Sequence, residues 1–232
     1  MSMHGKKYRS AVEKVTSGQV LPVDQALAKL KELAYAKFDE SMDVHVNLGI
    51  DASKGEQVVR GSVTLPYSKG KAPRIIVFAK GDYAEKAQKA GADLVGSDDL
   101  IEKINGGWLD FDYAVSTPDL MGPVGKLAKI LGPKGLLPNK KLGTVTFDVA
   151  DVVADLKKGR VFFKNDKSGL VHFSFGKKSF DVSKLHANLE AFIKALQAAK
   201  PASSKGKFLK KMTITSTMGV GIQINPDDVV QS

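Results

Sequence analysis

The hydrophobic pattern changes period twice along this chain, and that change constrains the fold more than any other feature. Near the N-terminus, DVHVNLGID (43–51) and QVVRGSVTLP (57–66) alternate apolar and polar residues, with Val44, Val46, Leu48 and Ile50 on one side. Such alternation marks strands with one buried face. At IIVFA (75–79) it gives way to a continuous apolar run. That is the pattern of a strand covered on both faces, as in parallel sheets. Helical and strand-like stretches then alternate: a helix over 82–91, a strand over 93–96, a helix over 97–106 and a strand over FDYAVST (111–117). A helix within 118–131, a final strand candidate TVTFDV (144–149) and a short helix over 151–158 follow. This spacing predicts βαβ units around a small parallel sheet. After Gly159 the alternation returns, in RVFFKND (160–166), GLVHFSFGKKSF (169–180) and MTITSTMGVGIQI (212–224).

Two amphipathic helices accompany the alternating strands. One covers 22–36, with Leu27, Leu30, Leu33 and Ala34 on one face; the other covers 181–200, with Leu185, Leu189, Phe192, Ile193 and Leu196 in a stripe and Pro201 as a stop. The two ends of the chain thus share one texture and the middle has another. The economical organisation is a discontinuous α+β domain from residues 1–67 plus 160–232, with an α/β domain inserted at 68–159. Insertion into an exposed loop is tolerated because domain termini lie close together. SKGKAP (68–73) suits a linker, and DASKGE (51–56) reads as a hairpin connection.

Charge narrows the partner. The chain of 232 residues has 35 Lys+Arg against 25 Asp+Glu, net +10. The excess is not uniform: residues 1–67 carry net +1, residues 68–159 net +2, and residues 160–232 net +7. A concentrated excess suits a polyanion, whose phosphates it neutralises with release of counterions. Cysteine is absent, which excludes a disulfide scaffold and thiolate metal sites. No stretch approaches the roughly 20 apolar residues of a membrane span. The N-terminus has charges without the apolar core of a secretory signal, so a soluble intracellular protein with no membrane partner is expected.

Catalysis finds little support. His4, His45, His172 and His186 are scattered and lack metal-ligand spacing, so neither a metal nor a cofactor is expected. GPVGKL (122–127) lacks the flanking glycine and the Ser/Thr after lysine that a phosphate loop needs. The apolar strand at 75–79 leads into Lys80-Gly81-Asp82 without GxGxxG, which counts against a nucleotide-binding α/β enzyme. Charge alone leaves a DNA-binding or other nucleic-acid-binding protein open.

The most unusual segment is GPVGKLAKILGPKGLLPNKKLG (122–143), with five glycines, three prolines, five lysines and no acid. Backbone amides and point charges held at a fixed spot suit contact with phosphates. This segment resembles the signature of the large-subunit ribosomal protein one family, bacterial type, which builds the mobile stalk beside the tRNA exit site. The likeness extends to FDESMDVHVNLGID (38–51), VRGSVTLP (59–66), GRVFFKNDKSGLVH (159–172) and TSTMG (215–219). The resemblance implies a split α+β domain from both termini with an inserted Rossmann-like three-layer α/β domain, and a non-enzymatic, cytoplasmic, ribosome-associated protein. It further implies binding to large-subunit rRNA, assistance to deacylated tRNA leaving the exit site, and repression of the protein's own mRNA. No obligate homo-oligomer is expected.

The family's RNA surface maps by resemblance onto Lys37, Phe38 and Ser41, and onto Thr215, Ser216, Thr217, Met218 and Gly219. Phe38 would stack on a nucleotide or sugar, the threonines would bond 2′-hydroxyls, and Gly219 would let backbones approach closely. By residue type alone, Phe38 and Met218 would more often be core, and the threonines strand formers. Lys164, Lys167 and Ser168, at a strand-to-turn position, are expected phosphate or sugar contacts, with His172 beside them. Lys126, Lys129, Lys134, Lys140 and Lys141 of the insert are assigned to tRNA or other rRNA.

Overall fold

The computed structural model describes residues 5–15, 18–68, 72–204 and 206–230. His4 and residues 69–71 of the expected linker lie outside them. The first segment runs α1 (Lys6–Glu13), β1 (Val20–Leu21), α2 (Val23–Leu33), β2 (Ser41–Leu48) and β3 (Arg60–Thr64). The middle runs β4 (Ile75–Phe78), α3 (Asp82–Lys89), β5 (Leu94–Gly96), α4 (Asp98–Asn105), β6 (Tyr113–Ser116), α5 (Met121–Gly125), α6 (Ala128–Leu131) and α7 (Val149–Lys158). The last segment runs β7 (Arg160–Lys164), β8 (Leu170–Lys177), α8 (Val182–Ala198), β9 (Leu209–Ser216), β10 (Ile222–Ile224) and α9 (Pro226–Val230). The mixture of α/β and α+β character is the one the periodicities predict. Contacts cluster into two compact units, Met1–Lys69 with Phe162–Ser232, and Gly70–Val161.

In the first unit a five-stranded sheet has the order β1-β10-β9-β2-β8, antiparallel except for the β1–β10 pair. Its strands alternate as the sequence requires. Met42, Val44, Val46 and Leu48 of β2 are buried, and Val171, Phe173 and Phe175 of β8 with Met212 and Ile214 of β9 join them. Helices α2 and α8 pack on this apolar side. Phe192 of α8 stacks on Phe173 at 4.2 Å between centroids and meets Phe163 edge-on at 5.6 Å. The buried Asn188 amide donates to the carbonyls of Tyr67 and Phe175 and accepts from the Tyr67 amide, which anchors the chain after β3.

Two local expectations change. DASKGE does not close a hairpin, because β2 pairs with β8 and β9 while β3 pairs with β7 in a separate two-stranded sheet. All three partner strands begin 96 or more residues downstream, beyond the reach of any local turn signal. TVTFDV supplies only an isolated bridge from Val145 to Ser116, and α7 already begins at Val149.

The second unit has a parallel sheet of order β5-β4-β6. All four residues of β4 are buried, as the unbroken apolar run predicts. Ile76 and Phe78 share a core with Leu100 and Ile104 of α4 and with Val124, Leu127 and Leu131 from the glycine-proline segment. Helices α3 and α7 pack against each other and against β4.

Candidate nucleic-acid interface

The side of the five-stranded sheet opposite its core is polar. Asp43, His45 and Asn47 of β2 stand directly across from Thr215, Thr213 and Lys211 of β9. On the other flank Asp43 and His45 face Ser174 and His172 of β8. All of these are half-buried or exposed. With Ser41 at one end and Asn47 at the other, the strip is about 20 Å long at ~3.3 Å per residue. Two clusters of the residues singled out by sequence lie at its ends.

At the Ser41 end, two distant segments are joined by one carboxylate. Glu40 is fully buried. Its Oε1 accepts from the Ala36 amide at 2.7 Å, and Oε2 accepts from the Met218 amide at 3.1 Å. Burial pushes the Glu40 pKa up, but Ser216, the Ala36 and Met218 amides and the charge of Lys178 outweigh it and hold the carboxyl below its ordinary value. The Ser216 hydroxyl beside it is itself buried and falls short of a well-formed hydrogen bond. Tyr35 donates its hydroxyl to the Met218 carbonyl at 2.8 Å. Thr217 Oγ1 accepts from the Ser41 amide at 2.9 Å and lies 3.3 Å from the Ser41 carbonyl, while the Thr217 amide donates to that carbonyl at 3.1 Å. Lys177 reaches Ser41 Oγ at 2.9 Å.

Two apolar side chains stand on the segments that these links join. Phe38 is 54% exposed and Met218 50% exposed. Neither is core, which is what residue type alone would have suggested. Lys37 and Thr217 are exposed as well, and Thr215 is half-buried, its hydroxyl donating to the Ser216 carbonyl. Ser216 differs from its neighbours: it is buried, and its carbonyl accepts from the Gly219 amide at 3.0 Å to close the turn. Gly219 is required by close approach, since a Cβ there would lie 2.3 Å from Ser216 Oγ.

At the other end, Asp166 organises the turn before β8. Its carboxylate accepts from the amides of Ser168 and Leu170, both at 2.8 Å, and Gly169 takes φ +77°. The Leu170 and Ser168 amides hold the Asp166 pKa below its usual value against the opposing effect of burial, with His172 adding to the lowering. Lys164, Lys167 and Ser168 are exposed around this turn. His172 Nε2 lies 3.6 Å from Asp166 Oδ2, and its Nδ1 lies 2.7 Å from His45 Nδ1. Burial, and then the neighbouring His172, depress the His45 pKa below 6.5, with Asp43 acting in the opposite sense. The sequence singles out neither Tyr35, whose partner Met218 comes from the far end of the chain, nor Asp166, whose partners Ser168 and Leu170 lie within its own turn.

In the second unit, Lys126, Lys129, Lys134, Lys140 and Lys141 are all exposed, and none has an ion-pair partner among the described residues. The segment that carries them is not an open loop. Val124, Leu127 and Leu131 anchor it in the core, and the Asn139 carboxamide oxygen accepts from the Lys141 amide at 2.8 Å to shape the turn. Among the described residues no group of three or more His, Asp or Glu is placed to hold a metal ion. No described helix is long and apolar enough to cross a membrane.

The chain as a whole has close relatives. The chain is 50% identical over 227 residues to the large ribosomal subunit protein uL1 of Thermus thermophilus, covering 97% of this chain and 99% of that protein. It is 52% identical over 226 residues to the large ribosomal subunit protein uL1 of Azoarcus sp. (strain BH72), covering 97% and 98%. Residues 30–220 match the model of the ribosomal protein L1p/L10e family, and with both units and both clusters inside or beside that span, the chain belongs to this family and is of its bacterial type.

Proposed function

We propose that this protein is a non-enzymatic structural constituent of the large ribosomal subunit, acting in the cytoplasm, and that it binds large-subunit rRNA through the polar face of its split unit. The observation that carries this reading is the buried Glu40 carboxylate, which clamps residues 35–41 to residues 215–219 and leaves Phe38 and Met218 standing exposed among hydroxyls. An exposed aromatic offers a stacking surface for an unpaired base. The hydroxyls of Thr215 and Thr217, with Ser41 beside them, suit ribose 2′-hydroxyls, the groups that distinguish RNA from DNA. Lys37 at one end of the strip, and Lys164, Lys167, Ser168 and His172 at the other, supply phosphate contacts. Ser216 acts by shaping the turn under Gly219.

The finer activities are those that the family resemblance implies. The stalk so formed assists deacylated tRNA in leaving the exit site, with Lys126, Lys129, Lys134, Lys140 and Lys141 available for tRNA or further rRNA. The same surface, offered a similar structure in the protein's own mRNA, represses its translation. Sedimentation tests the central reading: the native protein travels with large subunits at moderate salt. Its failure to do so would overturn the ribosomal assignment. A translational reporter carrying the protein's own leader tests repression separately.

A further inference from the structure

We infer that Arg60 anchors a phosphate-binding depression at the far end of the strip, so that the RNA footprint extends past the β8 turn onto β3; this inference rests on the RNA-binding reading above. The depression has a volume of about 350 Å³, and Arg60, Lys164, Asn165, Asp166 and Lys167 line it. With Ala52 and Val58 the lining has seven residues, of which three are cations. Asn165 is spent within the protein, because its Oδ1 accepts from the Val59 amide at 2.8 Å and its Nδ2 donates to the Asp166 carbonyl at 2.7 Å. Asp166 is spent as well, on the amides of Ser168 and Leu170 and on His172. No carboxylate among the described residues lies within ion-pair distance of Arg60, Lys164 or Lys167.

The second observation is Arg60 itself. Its Nε is buried and has no hydrogen-bond partner. A buried donor without a partner is an uncommon and costly condition, since the group has left water and gained nothing in return. Asn165 and Asp166, the polar neighbours in the depression, already carry hydrogen bonds of their own, which leaves an incoming anion as the available partner for the guanidinium. The guanidinium presents a planar fork of donors that matches two oxygens of a phosphate, and flanking lysines add point charges. A phosphodiester meets every requirement: it is anionic, it offers two free oxygens, and it repeats along a backbone that runs the length of the strip. A free inorganic phosphate offers the same chemistry, and the experiment separates the two.

The test uses the full chain and a large-subunit rRNA stalk fragment. Arg60→Gln is expected to weaken binding about tenfold and to reduce the slope of log affinity against log salt by about one, the loss of one phosphate contact. Arg60→Lys is expected to restore the slope but not all of the affinity, because the charge returns without the fork. In the wild-type chain the Arg60 Nε–Hε resonance should shift on adding the fragment and compete with inorganic phosphate. Unchanged affinity and slope in a folded Arg60→Gln variant, or an unmoved Arg60 resonance in the RNA complex, overturns the inference. If the wild-type chain fails to bind the fragment, the function proposed above falls instead. The depression is then decided by inorganic phosphate alone: a saturable Arg60 shift lost in Arg60→Gln supports it, and no shift overturns it.

Discussion

Glu40 and Met218 are 178 positions apart, yet the amide of one donates to the buried carboxylate of the other at 3.1 Å. Glu40→Gln keeps the size but turns one acceptor oxygen into an NH₂ group that faces the amide of Ala36 or Met218. The loss of a charged hydrogen bond is expected to cost about 1.5–3 kcal/mol. The folded-state pKa of Glu40 is lowered from 4.5, so its stabilisation is present above that pH and is lost as pH falls below it. The gap in urea stability between wild type and Glu40→Gln should therefore be widest at neutral pH and narrow below 4.5. A gap that is independent of pH would show that the charge of Glu40 contributes nothing.

His45 titrates in the other part of the range. His45 is depressed below 6.5 in the folded state, chiefly by burial and then by His172, while Asp43 opposes the shift. The unfolded chain therefore takes up a proton first as pH falls. Native stability conferred at this site is complete above 6.5 and declines below it, until the folded pKa is reached. His45→Gln should remove that decline and flatten the stability profile just below pH 6.5. Chemical denaturation at a series of pH values checks this, and an unaltered profile would assign the acid sensitivity elsewhere.

Phe38 separates contact from stability. Its side chain is 54% exposed, so its removal leaves the core untouched. Phe38→Ala should change folding stability by no more than about 0.5 kcal/mol, the range for a surface position. If the ring stacks on a base, the same variant should lose about 1–3 kcal/mol of affinity for the rRNA fragment. Urea unfolding and filter binding measure the two quantities. Unchanged affinity would remove Phe38 from the interface without disturbing the fold argument.

Much of this arrangement is legible in the chain and some of it is not, for a physical reason. Period-2 alternation identifies the buried side of β2, and the unbroken apolar run identifies β4, because burial on one face or two writes itself directly into the residue pattern. The stripe from Leu185 to Leu196 gives α8 to within a residue or two at each end. Strand pairing is different. Nothing within residues 41–66 announces that β2 seeks β8 and β9 while β3 seeks β7. Glu40 is harder still. Between Asp39 and Ser41 it reads as one more solvated charge, and only the return of Met218 from the far end of the chain makes it a buried clamp. The same return keeps Phe38 and Met218 in solvent, against the preference of their residue types.

Thr217 is the residue at which interface and fold are hardest to separate, and the structure supplies the means. Its hydroxyl accepts from the Ser41 amide at 2.9 Å, while its own amide independently donates to the Ser41 carbonyl at 3.1 Å. Thr217→Val removes only the first of these, and water can reach the exposed Ser41 amide in its place. The expected stability cost is therefore small, about 0.5–1.5 kcal/mol. If the hydroxyl also meets a ribose in the complex, rRNA affinity should fall by about 1–3 kcal/mol, more than stability does, and Thr217→Ser should restore both. Were the hydroxyl only a brace between the two segments, affinity would fall no further than stability. The ratio of the two losses, read from filter binding and urea unfolding on one preparation, decides between contact and brace.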